Sequence, residues 1–458
     1  QVMSVCWLME GFLEGMPKDP RKPVVEVLEH FFFVAAMWAF GGSLIVEVSE
    51  DGGSRGNHRS TFHLLLTGLT TAVKLPKEPD DALCFDFFFN PETEEMEHWS
   101  TRVPKFAPVP IGNGPGEASF TSLVVPTVDS TRLTTLMHQL SHKGHPVMFV
   151  GNAGTGKTTL IKSYLATLDD SHVATVIAMN YYMDSAALQQ RIDGSIDKRS
   201  GRMFGPPTGK RMLFYVDDMN LPYIETYGTQ NSLSLLRQIM DHRSYFDRTD
   251  LGFRKEVTDC FYLGSMNPTA GSFTITERLQ RLFTTFACLM PSDSDLGMIF
   301  KSILIGHLRA FQPDVQRLAD SLTEASIRLH KVVSVKFLPD AERFMYNWNM
   351  RELANVFQGL CAARSEYYLT APKFLRLWLH EVQRVFGDRL VDAGDAAAFE
   401  VELRNIAKAS WKETDQDALF AAPLIHTSFA AQVSAEPTYL PLPVGAAGIE
   451  LLSKTLID

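Results

Sequence analysis

A parallel, doubly wound α/β domain joined to an all-helical one is the fold class this sequence predicts, on three observations. Between Ser119 and Leu289 short apolar runs alternate with helical segments, as in sheets buried on both faces and joined by crossover helices. One of those runs leads directly into a glycine-rich turn, Gly151 to Thr158, that opens a helix. After Pro291 only helical periodicity remains.

Taken in order, residues 1 to about 45 read as helical, with Val24, Val27, Leu28, Phe31 and Phe32 at helical spacing and Gly41-Gly42 as the stop. Over 61–118 an aromatic strand, Leu83 to Phe89, leads into the turn Asn90-Pro91, and Pro104 to Gly116 has the composition of a linker. The acidic run Glu92 to Glu97 reads as a solvated loop. Within 119–290 the predicted strands are Pro146–Val150, Val173–Ala178, Met212–Val216, Cys260–Leu263 and Phe283–Leu289. In 291–415 a first helix presents Leu296, Ile299, Phe300, Ile303 and Leu304 on one face after a Ser292 or Asp293 cap. Further helices are predicted over 316–335, 350–364, 372–386 and 396–410. The stretch 416–458, with Pro and Gly through 437–448, reads as the opening of another unit. No internal repeat is present.

The 458 residues correspond to roughly two to four domains, and 45% hydrophobic with 21% charged residues suits a chain that buries a real core. A net charge of −10 opposes a general nucleic-acid grip, which needs clustered Lys and Arg. The five cysteines are scattered without a CxxC pair, as expected of free thiols in a reducing compartment. No signal peptide is visible, and the longest apolar run, Phe31 to Phe40, falls short of the roughly 20 residues a membrane span needs. No membrane partner is expected. The start at Gln1 suggests a slice of something longer.

Gly151-Asn152-Ala153-Gly154-Thr155-Gly156-Lys157-Thr158, followed by Thr159, fits G-x-x-x-x-G-K-[ST] between a strand and a helix. Its glycines let successive backbone N–H groups face a phosphate at a helix N-terminus. Lys157 would reach the β- and γ-phosphates of ATP or ADP, and the Thr158 hydroxyl would ligate Mg²⁺. Sixty residues on, Met212–Val216 runs into Asp217-Asp218. Asp217 is placed to sit beside the metal at the sheet's carboxyl edge, and Asp218 to face an attacking water. Asn267, at the tip of the fourth strand, could orient that water or simply turn the chain before Pro268. Arg281, with Arg278 as second choice, precedes the last strand and could face a neighbour's γ-phosphate or form a surface salt bridge. Arg351, beginning a helix in the all-helical part, is the candidate to reach over the nucleotide from a lid. His380-Glu381 is no zinc motif, because Arg384 stands where the second histidine would be needed.

Together these residues specify an AAA+ module, an α/β nucleotide-binding domain with a helical lid. Val216-Asp217-Asp218-Met219-Asn220-Leu221-Pro222, Tyr227-Gly228-Thr229-Gln230 and Leu236-Arg237-Gln238 resemble the third AAA module of dynein heavy chains. Met266-Asn267-Pro268-Thr269-Ala270-Gly271-Ser272-Phe273-Thr274-Ile275 and Arg278-Leu279-Gln280-Arg281 are similar to axonemal outer-arm chains of the beta type. Gly205-Pro206-Pro207, Asn349 to Leu353 and Leu379 to Leu390 also match the family pattern.

The resemblance covers essentially the whole chain. It implies the end of a preceding module over 1–60, a β-containing linker over 61–118, the large domain over 119–290, the lid over 291–415 and the start of the next module over 416–458. It also implies that Leu123-Val124-Val125-Pro126-Thr127 is a strand beside the adenine, so that Val124, Pro126 and Thr127 join the nucleotide site. The implied partners are neighbouring modules of the same chain, microtubules through an absent stalk, and other dynein heavy, intermediate and light chains, in the axoneme of a cilium or flagellum. The implied role is regulatory, gating a main motor cycle that belongs to another module. Asp218 departs from the usual Asp-Glu pair by one methylene, about 1.5 Å of reach, which puts fast hydrolysis in doubt. A nucleotide-holding ring spacer and a module of another concatenated AAA+ remodelling ATPase stand as alternatives.

Overall fold

The computed structural model describes the chain except residues 15, 17–23, 49–53, 71–72, 113–116, 269–274, 430–437 and 458. Residues 269–274 of the string after Asn267 therefore lie outside the described residues. The chain divides into two compact units: Gln1–Val103 with Val128–Met290, and Pro104–Thr127 with Pro291–Asp458.

The first unit is built on a five-stranded parallel sheet. Its strands are β1 (Val147–Val150), β2 (His172–Ala178), β3 (Arg211–Asp217), β4 (Cys260–Met266) and β5 (Thr284–Ala287), in the spatial order β5-β1-β4-β3-β2. The chain leaves β1 for the far edge, works back through β3 and β4, then crosses β1 to β5. The order reverses at β1, so β1 ends at the switch point where α/β sheets take their ligands. Alternation of side chains assigns each face. Val147, Phe149, Leu213, Tyr215 and Leu263 enter one core, beneath α3 (Val128–His142) and α4 (Lys157–Ala166). Met148, Met212, Phe214, Val216 and Tyr262 enter the other, beneath α5 (Ser185–Asp193) and α6 (Asn231–His242).

The first hundred residues join that core. Helices α1 (Val2–Leu13) and α2 (Val24–Gly41) bury Leu8, Phe31, Val34 and Trp38. Trp38 is fully buried, edge-on to Phe85 at 5.4 Å and to Phe286, on β5, at 5.9 Å. Beside it Arg132 of α3 bridges Asp86 (3.0 Å) and Asp129 (2.5 Å). Leu83 to Phe89 is not one strand: Cys84–Asp86 forms a turn of 3₁₀ helix, and the strand is Phe87–Asn90. The acidic run is not a loop throughout. Glu95–His98 returns antiparallel to Phe87–Asn90, burying Met96, while the Glu97 carboxylate accepts from Asn90 and Thr93. Expected strand 260–263 also runs on to Met266, because Gly264 and Ser265 continue the ladder with β1. A separate four-stranded sheet, formed by Asp197–Ser200, Met203–Gly205, Ser244–Phe246 and Arg254–Val257, was not foreseen. Its strands are three or four residues long, too short to show a period.

The second unit is helical: α7 (Asp293–Leu308), α8 (Leu318–Lys336), α9 (Met350–Leu360), α10 (Ala371–Val385) and α11 (Ala393–Ser410) enclose one core around Leu329, Phe357 and Trp378. Ser292 caps α7 through a capping box with Asp295, and Asn349 caps α9 with Glu352. In the same unit His426–Thr427 pairs with Leu440–Pro441, placing His426 against His380 (5.1 Å) and Tyr439 (6.0 Å). His426 is buried, and among the described residues neither of its ring nitrogens has a hydrogen-bond partner. Burial holds its pKa down to about 3 and that of His380 to about 4. Burial pushes Glu381, which accepts from the Tyr439 hydroxyl at 2.6 Å, up to about 6.

Folded-state values below the unfolded one make the histidines' contribution fully present above about pH 6.5 and lost as the pH falls toward 3. Glu381 works the other way, costing stability as the pH rises through 4.5 to 6. Replacing His426 by Phe removes two unsatisfied buried nitrogens while keeping an aromatic ring. The variant's unfolding midpoint at pH 7.5 should match or exceed wild type. Its loss of stability below pH 6.5, followed by circular dichroism, should be shallower.

Candidate nucleotide site

Two strand ends and the glycine loop meet within the first unit. Val150 at the end of β1 pairs with Met266 of β4, and Val216 of β3 pairs with Gly264. The Gly151 N–H donates to the Met266 carbonyl (3.3 Å). A Cβ at Gly151 would lie 2.4 Å from the Cys288 carbonyl oxygen, so only glycine fits there. Gly154 and Gly156 both stand at φ +83°, and Gly156 is the N-cap of α4.

Lys157, the first residue of α4, is buried and donates to the carbonyls of Gly151 (2.6 Å) and Asn152 (2.8 Å). The Thr155 hydroxyl lies 3.4 Å from the same ammonium and donates to the Asn152 carbonyl at 3.0 Å. The loop therefore folds around its own cation. Ala153 is partly buried within it and Thr159 is exposed one residue along α4. The Thr158 hydroxyl stands 3.3 and 3.2 Å from the two carboxylate oxygens of Asp217. A hydroxyl facing a carboxylate is an all-oxygen donor set, the chemistry of a hard cation such as Mg²⁺.

Asp218 is exposed at φ +54°, a left-handed conformation that Asp tolerates better than most residues, and its N–H donates to Asp217 Oδ1 at 3.2 Å. The next residues return to β4. The Met219 N–H donates to the Ser265 carbonyl (3.0 Å), and the Met219 sulfur occupies the space a Cβ on Gly264 would need. Asn220, buried, donates to the Asn267 carbonyl (3.0 Å) and accepts from its N–H (3.4 Å). These bonds set Asn267 beside the Asp217-Asp218 turn.

Three residues of this arrangement were not among the sequence candidates. Asn220 could have been found as an amide three places after Asp217. Ser265, fully buried, donates to Asp217 Oδ1, and the Tyr215 hydroxyl lies 3.1 Å from Ser265 Oγ. Burial pushes the Tyr215 phenol well above its ordinary range. The signal was a hydroxyl in an apolar strand, level with a carboxylate on its neighbour.

Arg278 and Arg281 are both exposed. They precede Thr284, which pairs with Val147, and so stand toward the sheet's amino edge, away from the loop that follows Val150. Arg281 pairs with Asp241 at 2.8 Å. Val124, Pro126, Thr127 and Arg351 belong to the second unit. Residues 123–127, expected as a strand, pair with no strand among the described residues, and Val125 packs with Ile111, Ile303 and Cys361. Arg351 is exposed in the first turn of α9.

A β5-β1-β4-β3-β2 sheet, a phosphate loop at its switch point and a separate helical unit define a P-loop module of the AAA+ class. Residues 113–291 match the family model of the P-loop containing dynein motor region, 322–421 that of the AAA+ lid domain, and 1–101 that of the dynein heavy chain AAA lid domain. The chain is 38% identical over 444 residues to the ciliary dynein beta chain of Heliocidaris crassispina, covering 96% of this chain and 10% of that one. It is 36% identical over 461 residues to the flagellar outer-arm dynein beta chain of Chlamydomonas reinhardtii and 35% identical over 460 to dynein axonemal heavy chain 17 of Homo sapiens, covering all of this chain and 10% of each. The chain belongs to the axonemal dynein heavy chains, and it spans about a tenth of the length of these relatives.

Gly151 and Gly156 separate two reasons for glycine. At Gly156 a Cβ meets nothing within 4 Å, and Ala there pays only for the left-handed φ, about 1 kcal/mol. At Gly151 it strikes backbone. Gly151→Ala should therefore lower the thermal midpoint and fluorescent-ADP affinity clearly more than Gly156→Ala. Equal losses would mean that the close approach to Cys288 does not hold the loop.

Proposed function

We propose that this chain is the third AAA+ module of an axonemal dynein heavy chain, with parts of its two neighbours, and that it binds ATP or ADP with Mg²⁺ and turns ATP over slowly. The observation that carries the reading is the Thr158 hydroxyl set against Asp217 at the mouth of a loop closed around Lys157. Lys157 and the loop N–H groups would take the phosphates, and Thr158 and Asp217 would hold the metal, which when bound neutralises the β- and γ-phosphate charge.

Asp218 is the candidate base. It is exposed, and a side chain one methylene shorter than Glu positions a water less firmly, which supports slow turnover. Asn267, braced by Asn220, would orient that water. Val124, Pro126 and Thr127 would flank the adenine, Arg351 would close on the nucleotide from the lid, and Arg281 or Arg278 would serve the neighbouring module. In the whole motor the site would gate coupling between the main ATPase and the microtubule, within a ring whose partners include other dynein heavy, intermediate and light chains of the axoneme. A ring spacer that only holds nucleotide is the second reading, favoured by the exposed, shortened Asp218.

Two variants separate these readings. Lys157→Ala removes a charged donor from the phosphates, worth about 1.5–3 kcal/mol, so nucleotide affinity should drop roughly 10- to 100-fold. Asp218→Asn spares the cradle and should retain ATP unhydrolysed. In an intact heavy chain both should slow microtubule release more than they reduce total ATPase. Release and gliding unchanged by Lys157→Ala would leave the spacer reading standing.

A further inference from the structure

The metal-side carboxylate is held by a relay of hydroxyls that no motif contains. Asp217 Oδ1 receives Ser265 Oγ–H and the Asp218 N–H (3.2 Å), the single Thr158 hydroxyl faces both carboxylate oxygens (3.3 and 3.2 Å), and the Tyr215 hydroxyl stands close to Thr158 and Asp217 as well as to Ser265. Ser265 is fully buried, one strand away on β4, level with Asp217 because Gly264 pairs with Val216. An ionised carboxylate can only accept. Ser265 therefore directs its proton to Asp217, and within the Tyr215–Ser265 pair, 3.1 Å apart, the Tyr215 hydroxyl is the donor. Tyr215 lies two residues before Asp217 on the same face of β3. The direction of the whole relay is thus set by the charge at its end: Tyr215 to Ser265 to Asp217.

We infer that Ser265, backed by Tyr215, is a positioning residue that pins Asp217 Oδ1 and leaves Oδ2 turned toward the cation held with Thr158. The inference rests on the metal–nucleotide reading above. Supporting hydrogen bonds of this kind fix a ligand's rotamer, and their loss typically weakens metal affinity by about 10- to 100-fold. Without Ser265 the carboxylate can rotate about χ2, and a part-buried oxygen loses a charge-assisted bond. The described bonds of the phosphate cradle, from Lys157 to the Gly151 and Asn152 carbonyls and to the Thr155 hydroxyl, do not run through Ser265.

The test separates metal from nucleotide. Fluorescent ADP is titrated into the 458-residue chain in EDTA and then across a Mg²⁺ series, with Mn²⁺ binding read by electron paramagnetic resonance. Ser265→Ala should bind ADP in EDTA as wild type does, yet need about tenfold more Mg²⁺ to reach the tight state. Its Mn²⁺ affinity should fall in step. Ser265→Thr, which keeps the hydroxyl, should restore most of the loss, and Tyr215→Phe should show a smaller defect of a few fold. Ser265→Ala with an unchanged Mg²⁺ requirement overturns the relay. A loss of ADP binding in EDTA that Thr also fails to restore overturns it too, by making Ser265 a packing residue. If wild type itself shows no Mg²⁺-dependent tightening, the metal–nucleotide reading falls first, and that outcome is distinct from either.

Discussion

The absence of a side chain at Gly151 is the constraint on which the nucleotide site depends. β1 lies between β5 and β4, so the loop that follows it must leave through the gap between the exits of both neighbours. The Cys288 carbonyl closes one side of that gap and the Met266 carbonyl the other. A Cβ at Gly151 would push the loop off both. With hydrogen there, the chain turns tightly enough for the carbonyls of Gly151 and Asn152 to hold the Lys157 ammonium, and α4 starts at that lysine, so that the loop ends on a helix N-terminus, which favours an anion.

A second close approach organises the other side. Gly264 yields its Cβ space to the Met219 sulfur, which lets the turn after Asp217 lie down on β4. Met219 and Asn220 then bond to the backbone of Ser265 and Asn267. The turn is closed by Asp218 in a left-handed conformation, a modest cost accepted where backbone bonds fix the residues on both sides. Two bare Cα positions, one just past the end of β1 and one on its neighbour β4, thus decide where a carboxylate pair, an asparagine and a lysine converge.

Two further clusters show how buried charge is either paired or kept neutral. Arg132 reaches Asp86 and Asp129 from the buried face of α3, tying the first hundred residues to the α/β core beside Trp38. His380 and His426 are kept neutral by burial instead, and Glu381 is drawn toward its protonated form beside the Tyr439 hydroxyl. Both arrangements join segments that composition alone had set apart.

What could be read from the sequence was whatever chemistry is contiguous. Gly151 to Thr158 and Asp217-Asp218 are runs in which neighbours along the chain are neighbours in space. Apolar runs of five or more residues announced four of the five strands within a residue or two, the fourth alone being cut short at Leu263 by its small and polar end. Tertiary structure decided everything that depends on lateral register. Ser265 and Tyr215 are fifty positions apart in sequence and touch only because parallel pairing sets Gly264 against Val216. Likewise Trp38, Phe85 and Phe286 form one aromatic cluster whose members no local pattern links. A motif reports which groups a short stretch can present. Which distant side chain stands behind them is fixed by strand order, and strand order follows from burying both faces of the sheet at once.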